Sequence, residues 1–355
     1  MITTWQPHTR NSIWTCAAPS IDAIAFHQTL PGYAPTPLIS LPTIAAELGV
    51  AHVFAKDESQ RLGLPAFKAL GASWAIHRAL QQAPTGQQMT IVTATDGNHG
   101  RAVAKFSKMF GHRARIYTPA GVHPSAIQAI RDEGADVTEL SGNYDDAVAA
   151  AAASIDPAHD ILVQDTSWSG YEEIPSWIVE GYATLFAEVD EQLAAKQLSV
   201  NLAVVPVGVG SLLQSALSHY RAHPNGPAII SVEPTVAACI APSLQANEPT
   251  SVDTGITVMA GLNCGTPSEL AWPYIVNGLD GAVAVTDDED IASAHDLAAL
   301  KVPSGPCGAA GLAAARKLLG SGGIAGARKH LGITEDSVIL LLITEGSDAN
   351  PLEER

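Results

Sequence analysis

From about residue 90 the chain alternates short β-branched runs with longer helical patterns. MTIVTAT reads as a strand, NHGRAVAKFSKMFG as a helix, RARIYTP as a strand, HPSAIQAIRDEG as a helix, DVTEL as a strand, YDDAVAAAAASI as a helix and ILVQDT as a strand. This punctuation predicts an α/β fold with mainly parallel sheets, because parallel neighbours need a crossover long enough to hold a helix. Gly111 and Gly134 close two of the helical patterns, at the position where a left-handed backbone costs least. A second set runs from NLAVVPVGVG through AIISVEP to SVILLLIT, and the single long helical pattern IPSWIVEGYATLFAEVDEQLAA joins the two sets. The 355 residues suffice for two domains with their own cores.

Charge narrows the partners. Lys plus Arg is 19 against 36 Asp plus Glu, a net charge of −17, and no run of cations occurs. Nucleic acid and anionic membrane are therefore not expected partners, since both need clustered cations to meet phosphate. MITTWQPHTRNSIW lacks the basic start and apolar stretch of a secretory leader, and no stretch is apolar enough to cross a bilayer, so a cytoplasmic enzyme is expected. Cys16, Cys239, Cys264 and Cys307 show no CxxC spacing, which disfavours a metal site. Cys239 and Cys264 bracket an irregular stretch, and whether they pair or stay thiols is left to geometry. The Pro- and Gly-rich residues 240–280 read as irregular structure, where binding residues often sit.

Four segments carry chemistry. In KDESQRLGLPAFKALGASWAIHRAL, Lys68 enters a helix in its first turn, where the positive end of the helix dipole favours a free amine able to condense with an aldehyde. The same pattern suits a solvated lysine on an amphipathic helix, but the chain has only eight lysines. In TATDGNHGRAVA the strand ends in an Asp96-Gly97-Asn98 turn and a helix begins, a seat for a substrate carboxylate or simply a helix cap. In PVGVGSLLQSAL the Gly208-Val209-Gly210-Ser211 turn offers backbone amides to a phosphate without the Walker lysine or a full GxGxxG, which fits a monophosphate-bearing cofactor. SVILLLITEGSDANP ends a buried strand in Thr344, whose hydroxyl suits an uncharged heterocyclic nitrogen.

In this order and spacing the four segments resemble the fold type II (tryptophan-synthase-like) family of pyridoxal-phosphate enzymes. The phrases TATDGNHGRAVA, VQDTSWSGYEEIPSWIVEGYATL, MAGLNCG and TEG are similar to the diaminopropionate ammonia-lyase branch. The resemblance implies two open twisted α/β domains with the cofactor in the cleft between them. The expected division is a large domain of residues 1–67 and 169–355 and a small one of 68–168. It further implies Lys68 as the Schiff-base lysine, Asn98 near the phenolic oxygen of the pyridoxal ring, Gly208, Val209, Gly210, Ser211 and Leu212 at the phosphate, and Thr344 at the pyridine nitrogen. Asp96 and Asp165 are then active-site carboxylates, Asp96 serving the D isomer and Lys68 the L isomer. A homodimer is also implied.

The activity implied is β-elimination of 2,3-diaminopropionate to pyruvate and ammonia through an aminoacrylate. A serine/threonine dehydratase, a β-replacement synthase of the same fold and a non-catalytic metabolite-binding protein are the alternatives. A serine hydrolase is disfavoured because no GxSxG elbow occurs. Ser304-Gly305-Pro306-Cys307-Gly308 and the Ser347 after TEG depart from the usual wording, and these departures bear on the substrate rather than the cofactor.

Overall fold

The computed structural model describes residues 4–95, 97–223 and 225–352. Among them the strands are, in chain order, β1 (Trp5–Pro7), β2 (Leu38–Ser40), β3 (His52–Asp57), β4 (Thr90–Ala94), β5 (Arg113–Thr118), β6 (Asp136–Glu139), β7 (Asp160–Leu162), β8 (Leu202–Pro206), β9 (Ala228–Pro234), β10 (Gly281–Val285) and β11 (Val338–Ile343). They form a seven-stranded sheet of order β1-β10-β9-β8-β11-β3-β2 and a four-stranded sheet of order β6-β5-β4-β7. The smaller sheet is parallel throughout. In the larger one only the edge strands β1 and β2 run antiparallel to their neighbours.

Residue type explains these places. β8 (LAVVP) and β11 (VILLLI) are apolar without alternation and are buried along their whole length, as strands covered on both faces must be. The edges are closed by three-residue strands, too short to template pairing with another chain. Gly111 and Gly134 adopt φ of 83° and 96° just beyond their helices, so the helix stops read from sequence hold.

The chain leaves the large sheet after β3, builds the four-stranded sheet and returns to β8. The exit and return are made by the Lys68–Gln82 and Glu173–Ala194 helices, the latter being the single long helix expected. They pack tightly through buried Leu70, Trp74, Ile178, Tyr182 and Phe186. At Gly181 the helices approach so closely that a Cβ would stand 2.6 Å from the Leu70 carbonyl oxygen.

Beside this crossing lies an ionic cluster that the sequence reading did not foresee. Lys56 on β3, Glu58, Arg61 and Glu188 are all buried. Arg61 Nη2 lies 2.6 Å from Glu58 Oε1, Arg61 Nη1 2.7 Å from Glu188 Oε1, and Lys56 Nζ 2.7 Å from Glu188 Oε2. Burial alone would raise the Glu188 pKa, but Arg61 and Lys56 hold it below the ordinary carboxylate value. The cluster pins the segment leading to Lys68 onto the long helix, since removing one partner would strand a buried charge.

Candidate active site

The carboxyl ends of parallel strands from both sheets converge on one pocket. Thr344 follows β11, Gly208 follows β8, Asn98 follows β4 and Asp165 follows β7. Open α/β sheets place ligands at these ends because the strand-to-helix turns there leave backbone amides and side chains unpaired by the ladder. The pocket is lined by Lys68, Asn98, Asp165, Gly208, Val209, Gly210, Ser211, Leu212 and Thr344. The structure thus brings together every site residue expected from sequence except Asp96, which lies outside the described residues.

Lys68 opens its helix, as its spacing after Pro65 predicts. Its amine is not left to the helix dipole alone, because Asp165 Oδ2 sits 2.5 Å from Nζ. Asp165 is itself well fixed. Tyr144 Oη and Gln164 Nε2 donate to its Oδ1, each at 3.3 Å, and Ser211 Oγ donates to its backbone carbonyl at 2.7 Å. Gln164 Oε1 in turn accepts from Thr93 Oγ1 and the Ala94 amide, tying the Asp165 loop to the end of β4. Burial opposes ionisation of Asp165, but the charge of Lys68 overrides it and holds the carboxyl well below the usual carboxylate range.

Asn98 begins the Asn98–Met109 helix, and the next residue anchors that helix to the same loop, with His99 Nε2 donating to the Val163 carbonyl at 2.8 Å. Burial lowers the His99 pKa and so disfavours the charged imidazole. The helix start is a smaller anion seat than its sequence implies, because the Gly97 and Gly100 amides both donate to Thr95 Oγ1. Asn98 Nδ2 donates to Glu345 Oε2 at 2.5 Å. Sequence reasoning assigned no role to Glu345 or Tyr144, although Glu345 carried a signal as a second polar residue at the end of an apolar strand.

The pocket tests well against a ring bearing one phosphate. At Gly208 a Cβ would lie 2.9 Å from the Gly261 carbonyl oxygen and 3.2 Å from Cys264 Sγ, so the turn has room for backbone alone. The amides of that turn and of the Ser211–Tyr220 helix N-terminus face the pocket as an anion cup. The Ser211 hydroxyl donates to the Asp165 carbonyl, so the donors this turn can offer an anion are backbone amides. On the far wall Thr344 Oγ1 is buried and has no hydrogen-bond partner among the described residues. An orphaned hydroxyl is what an unprotonated pyridine nitrogen requires. Among the described residues no group of three or more His, Cys, Asp and Glu could hold a metal ion. No disulfide joins Cys239 and Cys264.

Residues 29–342 match the family described as pyridoxal-phosphate dependent enzyme. The chain is 36% identical to the diaminopropionate ammonia-lyase of Salmonella typhimurium over 93% of its own length and 89% of that relative's. It also superposes on two crystal structures of the Escherichia coli diaminopropionate ammonia-lyase. For the complex with D-serine the TM-score is 0.89 at 31% identity, and for the complex with the aminoacrylate-PLP azomethine reaction intermediate it is 0.89 at 32%. Both superpositions cover 97% of this chain and 94% of the other.

Proposed function

Because the chain belongs to the pyridoxal-phosphate dependent enzyme family, we propose that it is a lyase which removes the β-amino group of 2,3-diaminopropionate, giving pyruvate and ammonia. The observation that carries this reading is the Lys68 amine held 2.5 Å from the Asp165 carboxylate in a pocket with a phosphate cup. The cofactor is pyridoxal 5'-phosphate. When bound it supplies the carbonyl that captures the substrate amine and the electron sink for elimination.

The chain's own residues do the rest. The amides of Gly208 to Leu212 would take the phosphate, the Thr344 hydroxyl would donate to the ring nitrogen, and the Asn98 amide would meet the phenolic oxygen. A hydroxyl there, unlike a carboxylate, would hold the ring nitrogen without giving it a counter-ion. Lys68 Nζ, once released, is the base at Cα. Asp165 attracts the β-ammonium of the substrate and manages its proton, so that nitrogen departs as ammonia. Tyr144 and Gln164 hold that carboxylate in place. Asp96, beside Asn98 in sequence, is proposed as the base for the D isomer.

We further infer a homodimer, as the family resemblance implies. A small domain of 68–168 within a large one of 1–67 and 169–355 is supported by the two separate sheets. Among the described residues no helix is long and apolar enough to cross a membrane. A cytoplasmic location is proposed from the absence of a disulfide among the four cysteines.

The deciding experiment incubates the holoenzyme with D- and L-diaminopropionate, serine and threonine and follows pyruvate or 2-oxobutyrate. Turnover of diaminopropionate well above serine supports the lyase. Equal or higher turnover of serine or threonine makes the chain a dehydratase instead. Absence of a visible-edge absorbance band sensitive to Lys68→Ala removes catalysis on this cofactor altogether.

A further inference from the structure

Glu345 is only 2% exposed and no described cation lies within salt-bridge distance of it. Its Oε1 accepts the Cys307 amide at 3.1 Å, and its Oε2 accepts Asn98 Nδ2 at 2.5 Å. Burial raises its pKa, against hydrogen bonds from Cys307, Asn98 and Asn350. A carboxylate withdrawn from water without a counter-ion is costly, and a core built for packing alone would hold an apolar residue here.

The backbone of Glu345 is immobilised. Its carbonyl accepts the Gly305 amide at 3.0 Å, and it forms a bridge with Ala66 beside the start of the Lys68 helix. Asn98 belongs to the other sheet, after β4. The Glu345 to Asn98 bond therefore joins the two sheets across the pocket, and its residue is the immediate neighbour of Thr344. Two consecutive residues of one strand end thus govern two edges of whatever ring lies between.

An asparagine amide has two Nδ2 protons in a fixed plane. We propose that Glu345 is a positioning residue that accepts a hydrogen bond from one Asn98 Nδ2 proton and so aims the other at the phenolic oxygen of the bound pyridoxal ring. Glu345 does not touch the reacting atoms. The inference rests on Asn98 as a ring contact, and it adds that Asn98 is competent only when held from behind.

The test is a double-mutant cycle on cofactor affinity. Apoenzyme of the wild type, Glu345→Ala, Asn98→Ala and the double variant is titrated with pyridoxal 5'-phosphate, and Kd is read from the absorbance of the bound form. Charge-assisted hydrogen bonds are strong enough that each single change is expected to weaken binding roughly tenfold. The double variant is expected to be no more than about twofold weaker than Asn98→Ala, because the clamp has nothing left to hold. Independent effects, multiplying to roughly a hundredfold, overturn the proposal. If Glu345→Ala does not fold, the cycle is run with Glu345→Gln, which keeps the shape but only one acceptor oxygen. Failure of wild-type apoenzyme to bind the cofactor at all would instead refute the reading of the site, so the two failures are distinct.

Discussion

The Lys68 amine and the Asp165 carboxylate meet at 2.5 Å although one opens a helix after β3 and the other follows β7 in the smaller sheet. The pair places an amine and an ionised carboxylate side by side in one pocket. For diaminopropionate, whose leaving group is an amine, Asp165→Asn is expected to lower kcat by about 10²–10⁴. Serine turnover should fall less, since a hydroxyl has no ammonium to attract. An equal loss on both substrates would show that Asp165 serves Lys68 rather than the leaving group.

The isomers divide the two bases. Asp96→Asn is expected to abolish turnover of D-diaminopropionate while leaving L-diaminopropionate largely active. Steady-state rates on the separate isomers check this, and loss of both to the same degree would remove the two-base scheme.

Gly181 sets the distance between the helices that connect the two sheets. Gly181→Ala forces a methyl against the Leu70 carbonyl and is expected to cost about 1–3 kcal/mol of stability. Urea melts of the two proteins would expose an error if their midpoints coincide.

His27 is fully buried in that same helix layer, with Nε2 donating to the Leu70 carbonyl at 2.9 Å and Nδ1 accepting from Thr184 Oγ1 at 2.7 Å. Burial pushes its pKa down from 6.5 to about 4. Between these values the unfolded chain binds a proton that the folded one refuses, so stability falls as pH drops from 6.5 towards 4, by about 3 kcal/mol in all. His27→Gln should flatten this slope in urea melts between pH 4.5 and 7. An unchanged slope would locate the acid sensitivity elsewhere.

Asp290 behaves in the opposite sense. It is buried in the Asp287–Ala299 helix with neither carboxylate oxygen hydrogen-bonded among the described residues. Burial, then the charges of Asp287 and Glu345, push its pKa from 3.8 up to about 8. The folded state keeps a proton that the unfolded state releases, so this acid withdraws stability as pH rises from about 4 to 8. Asp290→Asn is expected to be more stable than wild type at pH 9 by at least about 1 kcal/mol, and to match it more nearly at pH 5. Parallel stability profiles for the two proteins from pH 5 to 9 would contradict this.

The strand and helix order was legible because parallel α/β chains write each crossover into local periodicity. Lys68 and the Gly208 turn were legible for the same reason, since each sits at an element boundary marked by Pro or Gly. What stayed hidden depends on contacts remote in sequence. Nothing local tells that Lys56 will meet Glu188, or that Glu345 will hold Asn98. β7 stops at Leu162, inside the ILVQDT run, because the Gln164 side chain turns to the end of β4 and Asp165 turns into the pocket. The edge strands β1 and β2, three residues each, are too short to show a period.

In the large sheet His52 of β3 pairs with Val338 of β11, so an early strand waits for a much later stretch of chain to be made. The four-stranded sheet, contiguous between residues 90 and 162, needs no such delay. During synthesis the smaller sheet can therefore consolidate first, while β3 remains an open edge beside it. Long-range parallel pairing of this kind is slow and leaves apolar strands exposed to other chains. The pocket is closed only when β11 slots between β3 and β8 and carries Thr344 and Glu345 into place.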